Sequence, residues 1–201
     1  MPLRISLTDY GVGNLYSIKR SLENCGAEVT VVRDMRDLLD AECIVFPGVG
    51  AFDKTMEKLQ PYRDEVRGML ESGTPALGIC IGMQIMYEGS DEGSSPGLGL
   101  FKGRDVKLQG RVIPHMGWNQ VVSDDQLMDG VPDNNFYFAH SYRGCPADES
   151  IIIGTTEYEG SVIPTFFRTA NTYGTQFHPE KSSTSGMRFL RNFITFAEGC
   201  L

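Results

Sequence analysis

The stretch LGICIGMQIMYEG, Leu77 to Gly89, places a cysteine between two glycines where an apolar strand turns into a helix. Cys80 lies two residues after Gly78 and two residues before Gly82. This spacing matches the nucleophile elbow G-x-S-x-G, with a thiol in place of the hydroxyl. Glycines at these positions let neighbouring backbone approach without meeting a Cβ atom. The alternative is a core cysteine beside a glycine-rich turn, because free cysteine is among the most buried residue types.

Strand and helix patterns alternate on both sides of this turn. The predicted strands of the first half are RISLTD, AEVTVV, CIVFPG and PALGI, and the predicted helices are NLYSIKRSLENCG, AFDKTMEKL and YRDEVRGMLESG. Pro61 separates the last two helices, and Gly73 is the predicted stop of the second. Strands that alternate with helices indicate βαβ units and a mostly parallel sheet covered on both faces.

The second half of the chain has a different pattern, with short strand candidates separated by turns. They are GRDVKLQ, NQVVS, NFYFAHSYR, SIIIGTTEY, VIPTFFRT and TYGTQF, and we expect them to extend the sheet with antiparallel strands. The terminal segment SGMRFLRNFITFAEGCL carries Met187, Leu190, Ile194 and Ala197 at helical spacing. A final helix is therefore predicted to pack on the sheet.

Composition limits the possible functions. The chain has 201 residues, of which 41% are hydrophobic, and it carries a formal charge of -8, so one domain over residues 1–201 is predicted. The acidic balance and the absence of basic clusters argue against nucleic acid or an anionic membrane as partner. The N-terminus lacks the apolar core of a signal peptide and no run reaches membrane-spanning length, so a cytoplasmic protein is expected. The odd number of cysteines without CxxC spacing predicts reduced thiols.

A thiolate nucleophile usually needs an imidazole, and the chain has three histidines. His178 in TQFHPEKS is the strongest candidate, because it follows a strand and has Glu180 two residues on to orient its ring. His115 and His140 lie in aromatic surroundings that favour a structural role.

Two glycine-rich turns follow predicted strands. FPGVGAF, Phe46 to Phe52, could supply backbone N–H groups for an oxyanion hole, or it could be an ordinary turn. TDYGVGNL lacks the third glycine of a dinucleotide fingerprint, so nucleotide binding is rejected there. The scattered histidines and cysteines indicate no metal site, and no cofactor is expected.

The segments PGVGAF, GICIGMQ and QFHPEKS, in this order, resemble the class I (triad) glutamine amidotransferases. More narrowly, TDYGVGN, PHMGWN, YFAHSYR, GTTEYEG and QFHPEKS resemble the HisH family, the glutaminase subunits of imidazole glycerol phosphate synthase. The resemblance spans nearly the whole chain and departs at Ile81, where the family commonly has leucine. It implies a flavodoxin-like three-layer α/β/α fold, with a mostly parallel central sheet extended by antiparallel strands.

The resemblance also implies roles for individual residues. Cys80 would be the nucleophile, His178 the base and then acid, and Glu180 the residue that orients the imidazole. The backbone N–H groups of Val49 and Ile81 would form the oxyanion hole. The implied glutamine contacts are Gly48, Gln84, Glu92, Ser141 and Tyr142. The expected contacts with a partner are Asn14, Trp118, Tyr137 and Lys181, although an exposed aromatic patch on an ordinary domain is the alternative for them.

The activity implied by the resemblance is hydrolysis of glutamine to glutamate and ammonia. The ammonia would pass to a HisF-type (βα)8 cyclase subunit, which converts PRFAR to imidazole glycerol phosphate and AICAR. Two rival interpretations remain open here. One is a triad glutaminase serving another synthase, such as anthranilate synthase or GMP synthetase, and the other is a non-catalytic flavodoxin-like domain in which Cys80 is structural.

Overall fold

A seven-stranded central sheet organises the computed structural model, which describes residues 1–11 and 15–201. Five of its strands run parallel: β1 (Arg4–Thr8), β2 (Glu28–Val32), β3 (Cys43–Phe46), β4 (Ala76–Ile79) and, much later in the chain, β11 (Thr172–Thr175). Every residue of β3, β4 and β11 is buried, as expected for parallel strands covered on both faces.

Two antiparallel strands complete this sheet. They are β9 (Ile152–Tyr158) and β10 (Ser161–Thr169), and the strand order is β2-β1-β3-β4-β11-β10-β9. The predicted fold class, a mostly parallel sheet extended by antiparallel strands, is therefore confirmed.

Helices cover both faces of the sheet. They are α1 (Tyr16–Asn24), α2 (Phe52–Leu59), α3 (Arg63–Glu71), the single turn α4 (Ile81–Gln84) and α5 (Ser183–Glu198). Buried residues of α1 and α5 share one core cluster, whereas those of α2 and α3 belong to a second. Successive residues of β3 alternate between the clusters, since Val45 joins the first and Ile44 and Phe46 join the second. The result is three layers.

The predicted helix boundaries agree with the backbone. Gly26 follows α1 with φ +104° and Gly73 follows α3 with φ +105°, a left-handed conformation that glycine adopts without strain. Pro61 lies in a short 3-10 turn between α2 and α3. Of the expected apolar face of α5, Leu190, Ile194 and Ala197 are buried. Among the described residues, none of the helices is both long and apolar enough to cross a membrane.

The prediction that the second half extends the sheet with antiparallel strands is right for β9 and β10 and was wrong for five other strands, four of which lie outside the sheet and one of which is parallel. Four form two separate antiparallel pairs, β5 (Gly103–Lys107) with β8 (Tyr142–Pro146) and β6 (His115–Gln120) with β7 (Asn135–His140). The fifth, β11, is parallel to β4 inside the sheet. Strand alternation shows which face of a strand is buried, but it carries no information about the strand that will be its neighbour.

Candidate functional site

The backbone at Cys80 is held in an unusual conformation between β4 and α4. Its φ and ψ are 49° and -110°, outside the regions that non-glycine residues ordinarily occupy. Such a residue costs on the order of 1–3 kcal/mol and persists only where its surroundings impose it. Here the Cys80 N–H donates to the Thr175 carbonyl at 2.6 Å, and the Cys80 carbonyl accepts from the N–H groups of Met83 and Gln84.

The two flanking glycines are required by close packing of the backbone. A Cβ atom on Gly82 would lie 2.0 Å from the Phe46 carbonyl oxygen, and one on Gly78 would lie 2.5 Å from the Gly82 carbonyl oxygen. Real Cβ atoms do not approach so closely, so any larger residue would push β3, β4 and α4 apart. The glycines therefore serve the geometry of the turn that presents Cys80.

Three neighbouring strands end at the same place and bring the site together. The turn with Gly48 follows β3, Cys80 follows β4, and His178 comes three residues after β11. Because these strands are parallel, their carboxyl ends meet at one edge of the sheet, where open α/β folds bind ligands. The ring of His178 packs against Gly48 so tightly that a Cβ there would lie 2.6 Å from its Cε1 atom.

His178 and Glu180 form a buried pair. The His178 Nδ1 atom lies 2.8 Å from the Glu180 Oε1 atom, and only 3% and 7% of the two side chains are exposed. A carboxylate can only accept here, so Nδ1 carries the proton and Nε2 is left for other chemistry. The His178 N–H donates to the Tyr137 carbonyl at 2.8 Å, which fixes the backbone from the opposite side.

The protonation of His178 depends on Cys80. Burial lowers the pKa of His178, but the negative charge of a Cys80 thiolate and of Glu180 outweighs it and raises the pKa to about 10. The Gln176 side-chain amide adds a donor 3.7 Å from the Cys80 sulfur.

A cavity of about 390 Å³ opens above Cys80. Its lining contains most of the predicted site residues, namely Gly48, Cys80, Ile81, Gln84, Glu92, Ser141, Tyr142, His178 and Lys181. Glu180 lies behind His178 and does not line it, and Val49 is flanked by the lining residues Gly48 and Gly50 without lining it itself. A larger groove of about 880 Å³, beside the C-terminal end of α5, contains none of the predicted site residues.

The two expected oxyanion donors are the backbone N–H groups of Val49 and Ile81. No described residue accepts a hydrogen bond from the N–H of Val49 or of Ile81. Ile81 directly follows Cys80 and begins α4, where the first N–H groups of a helix point outward. Ile81 thus lines the cavity, whereas Val49 lies in the turn beside it, between the lining residues Gly48 and Gly50.

The far wall of the cavity is the crossover from β7 to β8. The Gln84 side-chain amide donates to the Tyr142 carbonyl at 3.1 Å, and His140 Nδ1 lies 2.8 Å from the same oxygen. Because a carbonyl only accepts, His140 carries its proton on Nδ1, and its Nε2 accepts from His115 Nδ1 at 3.0 Å. This chain of donors holds Ser141 and Tyr142 opposite Cys80.

The two histidines of this wall are neutral. Burial lowers the pKa of His115 to about 4, and it lowers that of His140 to about 3 despite the Tyr142 carbonyl, which raises it. His115 is stacked between the rings of Phe138 and Tyr158. The structural role expected for both residues agrees with these contacts.

Sequence reasoning missed several residues of the site. Pro114, Met116, Ala139 and His140 line the cavity, and Gln176 contacts the thiol. A signal existed only for Gln176, which lies two residues before His178 and so shares its side of an extended segment. Among the described residues, no group of histidine, cysteine and acidic side chains could hold a metal ion.

Of the four expected partner contacts, Lys181 lines the cavity, and the Tyr137 carbonyl bonds to the backbone of His178, which lines it. Trp118 and Tyr137 are paired across β6 and β7, with ring centroids 6.1 Å apart, and 52% of Trp118 is exposed. Lys181 is exposed on the cavity rim. Asn14, the fourth, lies outside the described residues.

Comparison with known proteins agrees with this geometry. A family model described as glutamine amidotransferase class-I matches residues 6–196. The imidazole glycerol phosphate synthase subunit HisH of Halobacterium salinarum is 43% identical over 203 residues, which cover 96% of this chain and 93% of the relative. The subunit HisH of Thermococcus kodakarensis is 43% identical over 197 residues, covering 94% and 98%.

The chain belongs to the HisH family of class I glutamine amidotransferases. It is thus an enzyme of the glutaminase class. The likeness of this HisH family member to solved structures shows the fold alone. A structure described as a glutamine amidotransferase superimposes with a TM-score of 0.76 at 18% identity, covering 96% of this chain and 98% of that one. A putative GMP synthase protein of Thermoplasma acidophilum gives 0.74 at 22% identity, covering 99% and 96%.

Proposed function

We propose that residues 1–201 act as one glutaminase domain, which hydrolyses glutamine through Cys80, His178 and Glu180 and delivers ammonia to a (βα)8 cyclase subunit. The observation that carries this proposal is the buried His178–Glu180 pair beside the strained Cys80 at the floor of a cavity. The family supports the class of reaction. A purely structural Cys80 would require neither the strain nor the charged partner.

The first chemical step is attack of the Cys80 thiolate on the side-chain amide carbon of glutamine. The carbonyl oxygen becomes an oxyanion, for which the Ile81 N–H and a reoriented Val49 N–H are the proposed donors. His178, as imidazolium, gives its Nε2 proton to the departing nitrogen. Ammonia leaves, and a γ-glutamyl thioester remains on Cys80.

The second step releases glutamate. The neutral His178 takes a proton from water, the resulting hydroxide adds to the thioester carbon, and the C–S bond breaks to return the thiolate. Glu180 stabilises the imidazolium and fixes the ring through Nδ1, so that Nε2 stays directed at the reacting atoms. The atoms of one water molecule end in glutamate and ammonia.

Recognition of glutamine is proposed to use opposite walls of the cavity. Glu92 offers a carboxylate, which suits the α-ammonium group of the substrate. Gln84, Ser141 and Tyr142 form the wall that would position the side-chain amide, with Gly48 on the other side.

The proposed partner is a HisF-type cyclase subunit that converts PRFAR to imidazole glycerol phosphate and AICAR. Lys181 lines the cavity, Tyr137 bonds to the backbone of His178, and the ring of Tyr137 contacts the exposed Trp118, so a partner docked on these residues would shield the path of ammonia from water. Asn14 is included in this surface on the resemblance alone. Protection matters because ammonia in neutral water is largely protonated and no longer nucleophilic.

The test is an assay of the chain together with a barrel cyclase, using either glutamine or ammonium salts as nitrogen source. Cys80→Ala and His178→Ala should abolish glutamine-dependent synthesis and retain ammonium-dependent synthesis. Glu180→Gln should be milder than either. A diazo-ketone analogue of glutamine should label Cys80 alone, as read by peptide mass spectrometry. Labelling that persists in Cys80→Ala, or loss of the ammonium-dependent reaction in an intact complex, would refute the proposal.

A further inference from the structure

Glu92 is held from two sides at the edge of the cavity. Its Oε2 atom accepts from the Phe52 N–H at 3.1 Å, which attaches it to the first residue of α2, directly after the turn with Val49. Its own N–H donates to the Ser90 Oγ atom at 3.0 Å. No described residue donates to Oε1, so one carboxylate oxygen remains for a ligand.

Ser90 connects Glu92 to a buried carboxyl group on β5. The Ser90 hydroxyl lies 2.9 Å from Asp105 Oδ2, and the exposed fractions of the two residues are 1% and 0%. A serine hydroxyl has a single proton, which goes to the carboxylate, so its oxygen accepts the Glu92 N–H. The direction of the chain Glu92 to Ser90 to Asp105 is thereby determined.

Backbone contacts place this loop on β5 as a short additional strand pair. The Asp105 N–H donates to the Gly89 carbonyl at 2.9 Å, and the Asp91 N–H donates to the Asp105 carbonyl at the same distance. Arg104 donates to the Ser90 carbonyl. Backbone bonding alone would therefore fix residues 89–91, whereas Glu92 is held at its backbone by the Ser90 hydroxyl and at its carboxylate by the Phe52 N–H.

Asp105 is a carboxyl group that is costly to bury. Its Oδ1 atom has no hydrogen-bond partner among the described residues. The pKa of Asp105 is raised to about 7, mainly by burial and also by the nearby charges of Glu92 and Asp91, although the Ser90 hydrogen bond and Arg143 lower it. An asparagine would provide the same acceptor without the charge.

We propose that Ser90 and Asp105 are positioning residues for glutamine, which orient Glu92 toward the α-ammonium group of the substrate. The inference rests on the proposed function. It gives the chain two residues that set substrate affinity without touching the substrate.

The experiment measures KM and kcat for glutamine and for glutaramate, which lacks the α-ammonium group, in the complex with a barrel cyclase. Ser90→Ala should raise KM for glutamine about tenfold, because the hydrogen bond between the Glu92 carboxylate and the α-ammonium group of the substrate would be lost. The value of kcat should stay within about twofold of the wild type. KM for glutaramate should not change. Asp105→Ala, which removes the acceptor of the Ser90 hydroxyl, should raise KM for glutamine in the same direction as Ser90→Ala.

A double-mutant comparison separates an effect of Ser90 on the position of Glu92 from a general disturbance of the structure. If Ser90 acts through Glu92, Ser90→Ala should add almost nothing in a Glu92→Ala background. Ser90→Cys is nearly isosteric but provides only a weak hydrogen-bonding group, so its KM should lie between those of the wild type and Ser90→Ala. This variant replaces Ser90→Ala in the test if Ser90→Ala does not fold. The inference is overturned if Ser90 variants change KM equally for both substrates, or by the same factor with and without Glu92. A wild-type complex without glutaminase activity would instead refute the proposed function.

Discussion

At the scale of single residues, the site is governed by the effect of Cys80 and Glu180 on the pKa of His178. The ring is almost fully buried, a position in which an isolated imidazolium would be unstable. Two anionic neighbours compensate, and of these the Cys80 thiolate raises the pKa of His178 more than Glu180 does. The protonation state of His178, the proposed general acid, therefore depends on its neighbours as well as on the histidine itself.

Cys80→Ser tests this dependence. A neutral hydroxyl removes the thiolate charge while the burial and Glu180 remain, so the pKa of His178 should fall from about 10 by roughly 2 or more. Nuclear magnetic resonance titration of the imidazole nitrogens measures it, with His115 and His140 as internal controls that stay neutral. An unchanged pKa of His178 would show that Cys80 is not its charged partner.

Asp105→Asn tests the cost of the buried carboxyl. Burial raises the pKa of Asp105 to about 7, above the ~4 of an unfolded chain. Between these pH values the unfolded chain has released a proton that the folded chain retains. The free energy of unfolding therefore falls as pH rises through this window, by at most about 1.4 kcal/mol per pH unit. The Tm advantage of Asp105→Asn should therefore grow between pH 5 and pH 8 in thermal unfolding. A difference that is constant with pH would contradict it.

At the scale of elements, the turn between β4 and α4 depends on backbone segments in contact. The Phe46 carbonyl of β3 occupies the space beside Gly82, and the Gly82 carbonyl occupies the space beside Gly78. The strained φ of Cys80 is sustained because its N–H and carbonyl are both bonded, to β11 and to α4. The turn that presents Cys80, the proposed nucleophile, is thus shaped by contacts with three neighbouring strands.

Gly82→Ala should destabilise the protein by more than about 3 kcal/mol, because its Cβ would meet a backbone oxygen at 2.0 Å. The matched control is Gly68→Ala in α3, where no atom lies within 4 Å of the added Cβ. This control should be neutral or stabilise by about 0.5–1 kcal/mol, since alanine favours helix. Urea unfolding measures both changes. Equal stabilities of the two variants would show that the close approach at Gly82 is not needed.

At the scale of the whole molecule, the reactive groups lie beside the surface proposed for the partner. Tyr137 bonds to the His178 backbone and pairs its ring with Trp118, and Lys181 lies on the cavity rim. The turn with Gly48, Val49 and Gly50 borders the same cavity, and Gly50 has φ +108°. A partner docked here can act on the turn that holds the proposed oxyanion donor.

The isolated chain should hydrolyse glutamine slowly, and the cyclase with PRFAR or product bound should raise kcat far more than it changes KM. A Val49 N–H turned toward the oxyanion stabilises the transition state more than bound glutamine, and one such donor is worth on the order of a hundredfold in rate. Contacts through Gln84, Ser141 and Tyr142 would be unaffected. Steady-state kinetics with and without cyclase measure the effect; full activity of the isolated chain, or stimulation confined to KM, would contradict it.

The sequence alone determined the parts of this protein whose signals are local. The alternation of strands and helices, the stops at Gly26 and Gly73 and the elbow around Cys80 follow from spacing and from residue chemistry. The family resemblance rests on the same short segments in order, and their match to HisH relatives confirmed it.

Only the tertiary structure decided which distant segments meet. It placed β11 beside β4 and so brought His178 to Cys80, and it paired His115 with His140 behind the cavity wall. It also showed Asp105 buried against Ser90, for which the sequence carried no sign. These contacts join residues far apart in the chain, and their energy comes from packing and burial in the folded protein, which no local pattern of residues records.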